Sequence, residues 1–124
     1  MVDQTFEGDC IAKSTFEGKP VGQDFFTNKV FFLENAFQGD KDNQFVQLNY
    51  GKNLAPGTHP LEFGTEGTPS LQYRNGQRLI RISGAGTVTI GEDLDTQVGS
   101  FKGTYPVEGG EWVFEGNFKA KRLE

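Results

Sequence analysis

The chain has 124 residues, enough for one domain and too few for two. With 35 % hydrophobic and 23 % charged residues it is polar without being disordered in composition, and its 12 Phe, 3 Tyr and 1 Trp supply enough aromatic surface for a small core. Seventeen Gly and five Pro argue for many turns and against long helices, no apolar run approaches the ~18 residues of a membrane span, and a net charge of −5 argues against a nucleic-acid backbone as partner.

Near the start, Thr5-Phe6-Glu7-Gly8 recurs as Thr15-Phe16-Glu17-Gly18, with looser Phe-x-Gly copies at Phe37, Phe101 and Phe114. An aromatic and a Gly two positions on share a strand face, where the ring lies over the bare glycine or the strand bends. The spacing is too irregular for a solenoid and reads as a packing habit of a strongly curved sheet. Cys10 is the chain's one cysteine, so it has no internal disulfide partner. With no His or second Cys nearby it reads as a half-buried strand residue rather than a metal ligand or nucleophile. Met1 to Asp9 is polar and has neither signal-peptide nor lipoprotein-anchor shape. On that reading the protein is cytoplasmic as it stands, or exported if a leader preceded it.

Asp24 to Phe37 fits two templates. Phe26, Val30, Leu33 and Phe37 have helical spacing, while Phe31, Leu33 and Phe37 fit alternation. The closely set Val30, Phe31 and Phe32 favour strand. After the acidic turn Asp40-Lys41-Asp42-Asn43, Gln44 to Tyr50 alternates, with Val46, Leu48 and Tyr50 on one side. Asn53 to Pro60 is a Gly/Pro loop holding the sole histidine, His59, and Leu61 to Phe63 is a short strand.

Asn75-Gly76 predicts a hairpin with Tyr73 opposite Arg78 and Leu71 opposite Ile80, Arg78 stacking on Tyr73. Its outer face carries Gln72, Arg74, Gln77, Leu79 and Arg81. Ser83-Gly84-Ala85-Gly86 follows as a bulge or bend between strands, then the strand Thr87 to Ile90 and the acidic turn Gly91 to Asp95. No helix follows the glycines, so they cradle no phosphate. Finally Thr96–Val107 and Glu111–Arg122 form a hairpin about Gly109-Gly110, read as a type I′ turn. The implied pairs are Val107 with Trp112, Tyr105 with Phe114, Gly103 with Gly116, Phe101 with Phe118 and Gly99 with Ala120. All large members of that face are apolar, whereas Ser100, Lys102, Thr104, Glu115, Asn117 and Lys119 share the other. The domain spans 1–122, and Leu123-Glu124 has the look of a cloning remnant.

These elements predict an all-β, antiparallel β-sandwich of about seven to nine short strands, or a small coiled, calycin-like barrel. Pro56-Gly57-Thr58, Gly86-Thr87-Val88-Thr89-Ile90, Gly99-Ser100-Phe101-Lys102-Gly103 and Gly116-Asn117-Phe118 resemble a pattern of small bacterial β-domains, often exported or lipid-anchored. The resemblance covers about the last seventy residues, implies an all-β fold and implies no activity. The chain lacks the lipid-anchor cysteine context of those domains.

Nothing in the chain assembles a catalytic constellation. There is no Gly-x-Ser-x-Gly elbow, and one His with one Cys excludes the usual zinc sites. No cofactor is expected. Asp40 and Asp42, and Glu92 and Asp95, are weak calcium candidates, since calcium asks for about six to eight oxygens. Three functions stay open. The first is a non-enzymatic binding or interaction module of a bacterial protein, with Arg74, Arg81, Tyr73, Trp112 and Tyr105 as its surface. The second is a barrel holding a small apolar or sugar-like ligand in an aromatic cavity where Gly103 faces Gly116, walled by Phe101, Phe114 and Phe118. The third is a hydrolase using paired carboxylates. The expected partner is a protein or small molecule, with the chain a monomer or weak homo-oligomer.

Overall fold

A computed structural model describes residues 5–22 and 24–123. Its strands are β1 (Thr5–Phe16), β2 (Lys19–Pro20), β3 (Phe25–Thr27), β4 (Lys29–Leu33), β5 (Ala36–Lys41), β6 (Gln44–Asn49), β7 (Gly57–Phe63), β8 (Ser70–Asn75), β9 (Arg78–Ile90), β10 (Thr96–Val107) and β11 (Gly110–Leu123). The all-β, antiparallel expectation holds. All eleven strands join in one sheet, ordered β2-β1-β11-β10-β9-β8-β6-β5-β4, with β3 on β1 and β7 on β9.

The sheet curls because two segments carry it round a corner. In β9, residues 78–82 pair with β8, while residues 83–90 pair with β10 and residues 84–90 also with β7. Residues 25–33 do the same at the other edge: β3 lies on β1 and β4 on β5, divided by Asn28. The two halves therefore face each other across one core, as in sandwiches whose strands switch sheets at bends. Ser83-Gly84-Ala85-Gly86 is part of a continuous β9 rather than a break between strands. It sits at the corner, where a Cβ on Gly84 would come 2.1 Å from the Lys102 carbonyl oxygen, and one on Gly86 2.3 Å from that of Ser100.

Alternation predicted faces well and register badly. β10 meets β11 with Tyr105 opposite Trp112, Gly103 opposite Phe114, Phe101 opposite Gly116 and Gly99 opposite Phe118, a two-residue slip from the expected pairs. The loop is Glu108-Gly109, and Glu108 is not at positive φ, so the turn is not type I′. The slip preserves every face and brings each glycine opposite a ring. Phe118 Cζ lies 2.5 Å from where a Gly99 Cβ would stand, and Phe101 Cζ 2.9 Å from that of Gly116. The β8–β9 hairpin slips too, pairing Asn75 with Arg78, Tyr73 with Ile80 and Leu71 with Ile82 around Gly76-Gln77. Gly76 alone has positive φ there, the sign pattern of a type II′ turn. A type I′ pattern occurs instead at Glu17-Gly18, both at positive φ, between β1 and β2.

Residues 24–37 are strand, as favoured, with a different inward face. Val30, Phe32 and Phe37 are buried, whereas Phe26, Phe31 and Leu33 point outward. Asn28 and the Glu34-Asn35 turn shift the alternation. His59 and Pro60 belong to β7 rather than to a loop, and Pro60 is tolerated because β7 pairs with β9 alone. Leu123 continues β11 opposite Thr5.

The core is a ladder of rings. Phe37 stacks on Phe118 at 4.1 Å, Phe118 neighbours Phe101 at 6.5 Å, Phe101 neighbours Phe114 at 5.7 Å, and Phe114 stacks on Tyr73 at 4.7 Å. Offset-stacked pairs of this kind add about 0.5–1.5 kcal/mol beyond burial. Away from the start of β9, buried Gln97 accepts a 2.7 Å hydrogen bond from the Tyr50 hydroxyl and donates to the Leu33 carbonyl at 2.9 Å. That bonding satisfies a polar side chain which would otherwise be costly to bury.

Candidate functional site

The ladder surfaces at one end of the sheet. Beyond Phe114 come Trp112, at 5.5 Å from Phe114 and 5.9 Å from Tyr73, and then Tyr105, perpendicular to Trp112 at 6.4 Å. Tyr105 and Trp112 are cross-strand partners on one face of the β10–β11 hairpin. Tyr73 and Ile80 are partners in the β8–β9 hairpin, and the curl brings the two pairs together. They line a cleft of about 660 Å³, which Phe16 from β1 and Lys41 and Gln44 from the β5–β6 hairpin complete. This size suits a small ligand. Tyr105 and Trp112 are half-buried and Tyr73 is 7 % exposed. Burial raises the Tyr73 hydroxyl above its ordinary pKa.

Arg78 stands at the rim, its guanidinium 6.0 Å from the Tyr105 centroid. The expected stacking on Tyr73 does not form, because the register puts Ile80 opposite Tyr73. Of the surface residues read from the sequence, Tyr73, Tyr105 and Trp112 therefore gather, and Arg74 and Arg81 stay apart. Arg81 donates through Nη2 to the carbonyls of Gly64 at 3.1 Å and Gly67 at 2.6 Å, pinning the β7–β8 loop. Arg74 donates through Nε to the Gly76 carbonyl at 2.9 Å. Both guanidinium groups are engaged by backbone.

Gly103 and Gly116 do not face each other as expected: Gly103 lies opposite Phe114 and Gly116 opposite Phe101. Phe101, Phe114 and Phe118 are buried and fill the space with rings; of them, Phe114 reaches under the cleft through Tyr73 and Trp112. The two pairs of calcium candidates stand on separate turns. Asp40 and Asp42 lie at the β5–β6 turn, whereas Glu92 and Asp95 follow the far end of β9, and Asp40 Oδ1 accepts a 2.7 Å hydrogen bond from Gln38 Nε2. Among the described residues no group of three or more His, Cys, Asp or Glu side chains could hold a metal. Phe16 and Lys41 carried no site signal in the sequence, being strand-end residues whose convergence depends on the curl.

Cys10 is fully buried, and burial first, with Asp9 adding repulsion, pushes its thiol pKa up to about 12. The folded state thus holds the thiol proton more tightly than the unfolded chain does. The resulting stabilisation is complete below pH 9.0 and is lost as the pH rises towards about 12. In that window one such proton changes stability by about 1.4 kcal/mol per pH unit. Burial also raises Tyr50, so the difference between wild type and Cys10→Ala isolates the thiol. Urea midpoints of the two proteins should differ by a constant amount below pH 9.0 and converge above it; parallel profiles throughout would contradict this assignment.

Compared with protein families, with curated proteins and with solved structures, the chain finds no match in any of the three.

Proposed function

We propose that this chain is a non-enzymatic binding module that seats a small ring-shaped ligand, apolar or sugar-like, in the cleft lined by Tyr73, Tyr105 and Trp112. The observation that carries this reading is the termination of the buried aromatic ladder in a half-exposed, perpendicular Tyr105–Trp112 pair above Tyr73. Rings with one apolar face covered and a polar tip in water are suited to recognition. The cleft also brings polar side chains such as Ser14, Gln44 and Asn75 to its rim, which a ligand with hydroxyl groups would use. The same geometry disfavours the carboxylate hydrolase, because Asp24 is the single carboxylate lining the cleft among the described residues, and that chemistry takes two. The resemblance of the glycine-bearing strands to small bacterial β-domains fits a module of a bacterial protein.

Trp112 is the chain's one tryptophan, so its fluorescence reports on the site directly. Titration with a set of sugars and small apolar rings should change its emission saturably for one class. Trp112→Ala, read by amide NMR shifts, should weaken binding of that class by about 2 kcal/mol, roughly 30-fold. A flat emission across the set, with the protein folded, would overturn the reading.

A further inference from the structure

The cleft differs in charge from the rest of the molecule. Arg78 and Lys41 line it against one carboxylate, Asp24, while the chain as a whole carries −5. Neither cation belongs to an ion pair among the described residues; the ion pair seen there, Lys119 with Asp9, is elsewhere. A local excess of positive charge in a concave, aromatic-walled site concentrates anions. Arg78 is also placed to use such a charge. Its guanidinium lies towards the face of Tyr105, a contact that leaves the planar edge and its N–H donors open to an acceptor. Tyr73 lines the same cleft, and burial raises its hydroxyl above the ordinary value.

We infer that the ligand is an acidic sugar, with its ring against Trp112, its carboxylate held by the edge of Arg78 and Lys41 adding to the attraction. This deepens the cleft-binding reading and rests on it. A neutral sugar would leave the Arg78 donors to water. A flat aromatic acid shares the carboxylate but would leave the polar rim of Ser14, Gln44 and Asn75 without partners.

Three probes separate the outcomes in a Trp112 fluorescence titration: glucuronate, glucose and benzoate. Glucuronate should bind about tenfold more tightly than glucose, a preference of the size expected for one charge-assisted contact at a partly exposed site. High salt should reduce the preference, Arg78→Met should abolish it, and Arg78→Lys should retain part of it. Arg78 is exposed, so both variants should keep the wild-type denaturation midpoint. Equal binding of glucuronate and glucose, or a preference that survives Arg78→Met, overturns the acidic-sugar inference and leaves the cleft standing. Benzoate binding more tightly than glucuronate overturns the sugar assignment. No response to any probe overturns the inference and removes the support for the cleft together.

Discussion

Phe118→Ala is expected to destabilise the protein by about 4 kcal/mol, a large share of the roughly 5–15 kcal/mol that holds a domain of this size together. Phe118 is 1 % exposed, stacks on Phe37 at 4.1 Å and covers the bare backbone of Gly99. Its removal leaves a hole that Gly99 cannot fill, because no side chain stands there to relax into it. The outward Phe31, 38 % exposed on β4, is the comparison. Phe31→Ala should cost far less, about 1 kcal/mol, since more than a third of its surface already meets water and it stands outside the ring ladder. Urea denaturation followed by circular dichroism measures both. Equal costs would mean that the ring ladder is not what holds the two halves together.

The second large effect concerns the corner of β9. Gly84→Ala should cost about 3 kcal/mol, at the upper end of what overpacking usually does, or prevent folding. A single added methyl would stand 2.1 Å from the Lys102 carbonyl oxygen and 2.4 Å from Gly103 Cα. Both obstacles are backbone of the paired strand, so no side-chain rotation relieves them and the corner itself must open. Gly64→Ala is the matched control: its nearest neighbour would be the Glu66 carbonyl at 3.6 Å, an ordinary contact, and its φ is not in the left-handed region. That variant should stay within about 0.5 kcal/mol of wild type. If both alanines are tolerated alike, the sheet does not turn as tightly as described.

Why the sequence foretold some of this and not the rest follows from the range of the forces involved. Alternation is local, so the inward set Phe101, Phe114, Phe118, Ile80 and Ile82 could be read directly from residue order. A two-residue slip preserves that alternation, so both hairpins could be assigned correct faces and wrong partners. The β10–β11 slip goes with contacts between residues far apart in the chain, the rings of Phe118 and Phe101 covering Gly99 and Gly116. The Phe-x-Gly pattern did announce a strongly curved sheet, yet it named no partner for any glycine.

The site divides the same way. Tyr73, Tyr105 and Trp112 are legible as aromatic residues near hairpin ends, but only the curl joins the two hairpins. Arg74 and Arg81 looked like a free cationic pair because the carbonyls that engage them belong to turns and loops whose paths no periodicity encodes. Arg78, treated as a partner of Tyr73, instead overhangs Tyr105 once the register moves.

The most direct test is an amide NMR map of the folded protein titrated with glucuronate. The account predicts shifts confined to Tyr73, Arg78, Tyr105, Trp112 and their neighbours around the cleft, with Gly99, Phe101, Gly116 and Phe118 unmoved inside the ring-filled core. Shifts centred on those core residues would contradict it, because they would place the ligand between the two halves of the sheet, where the rings now stand.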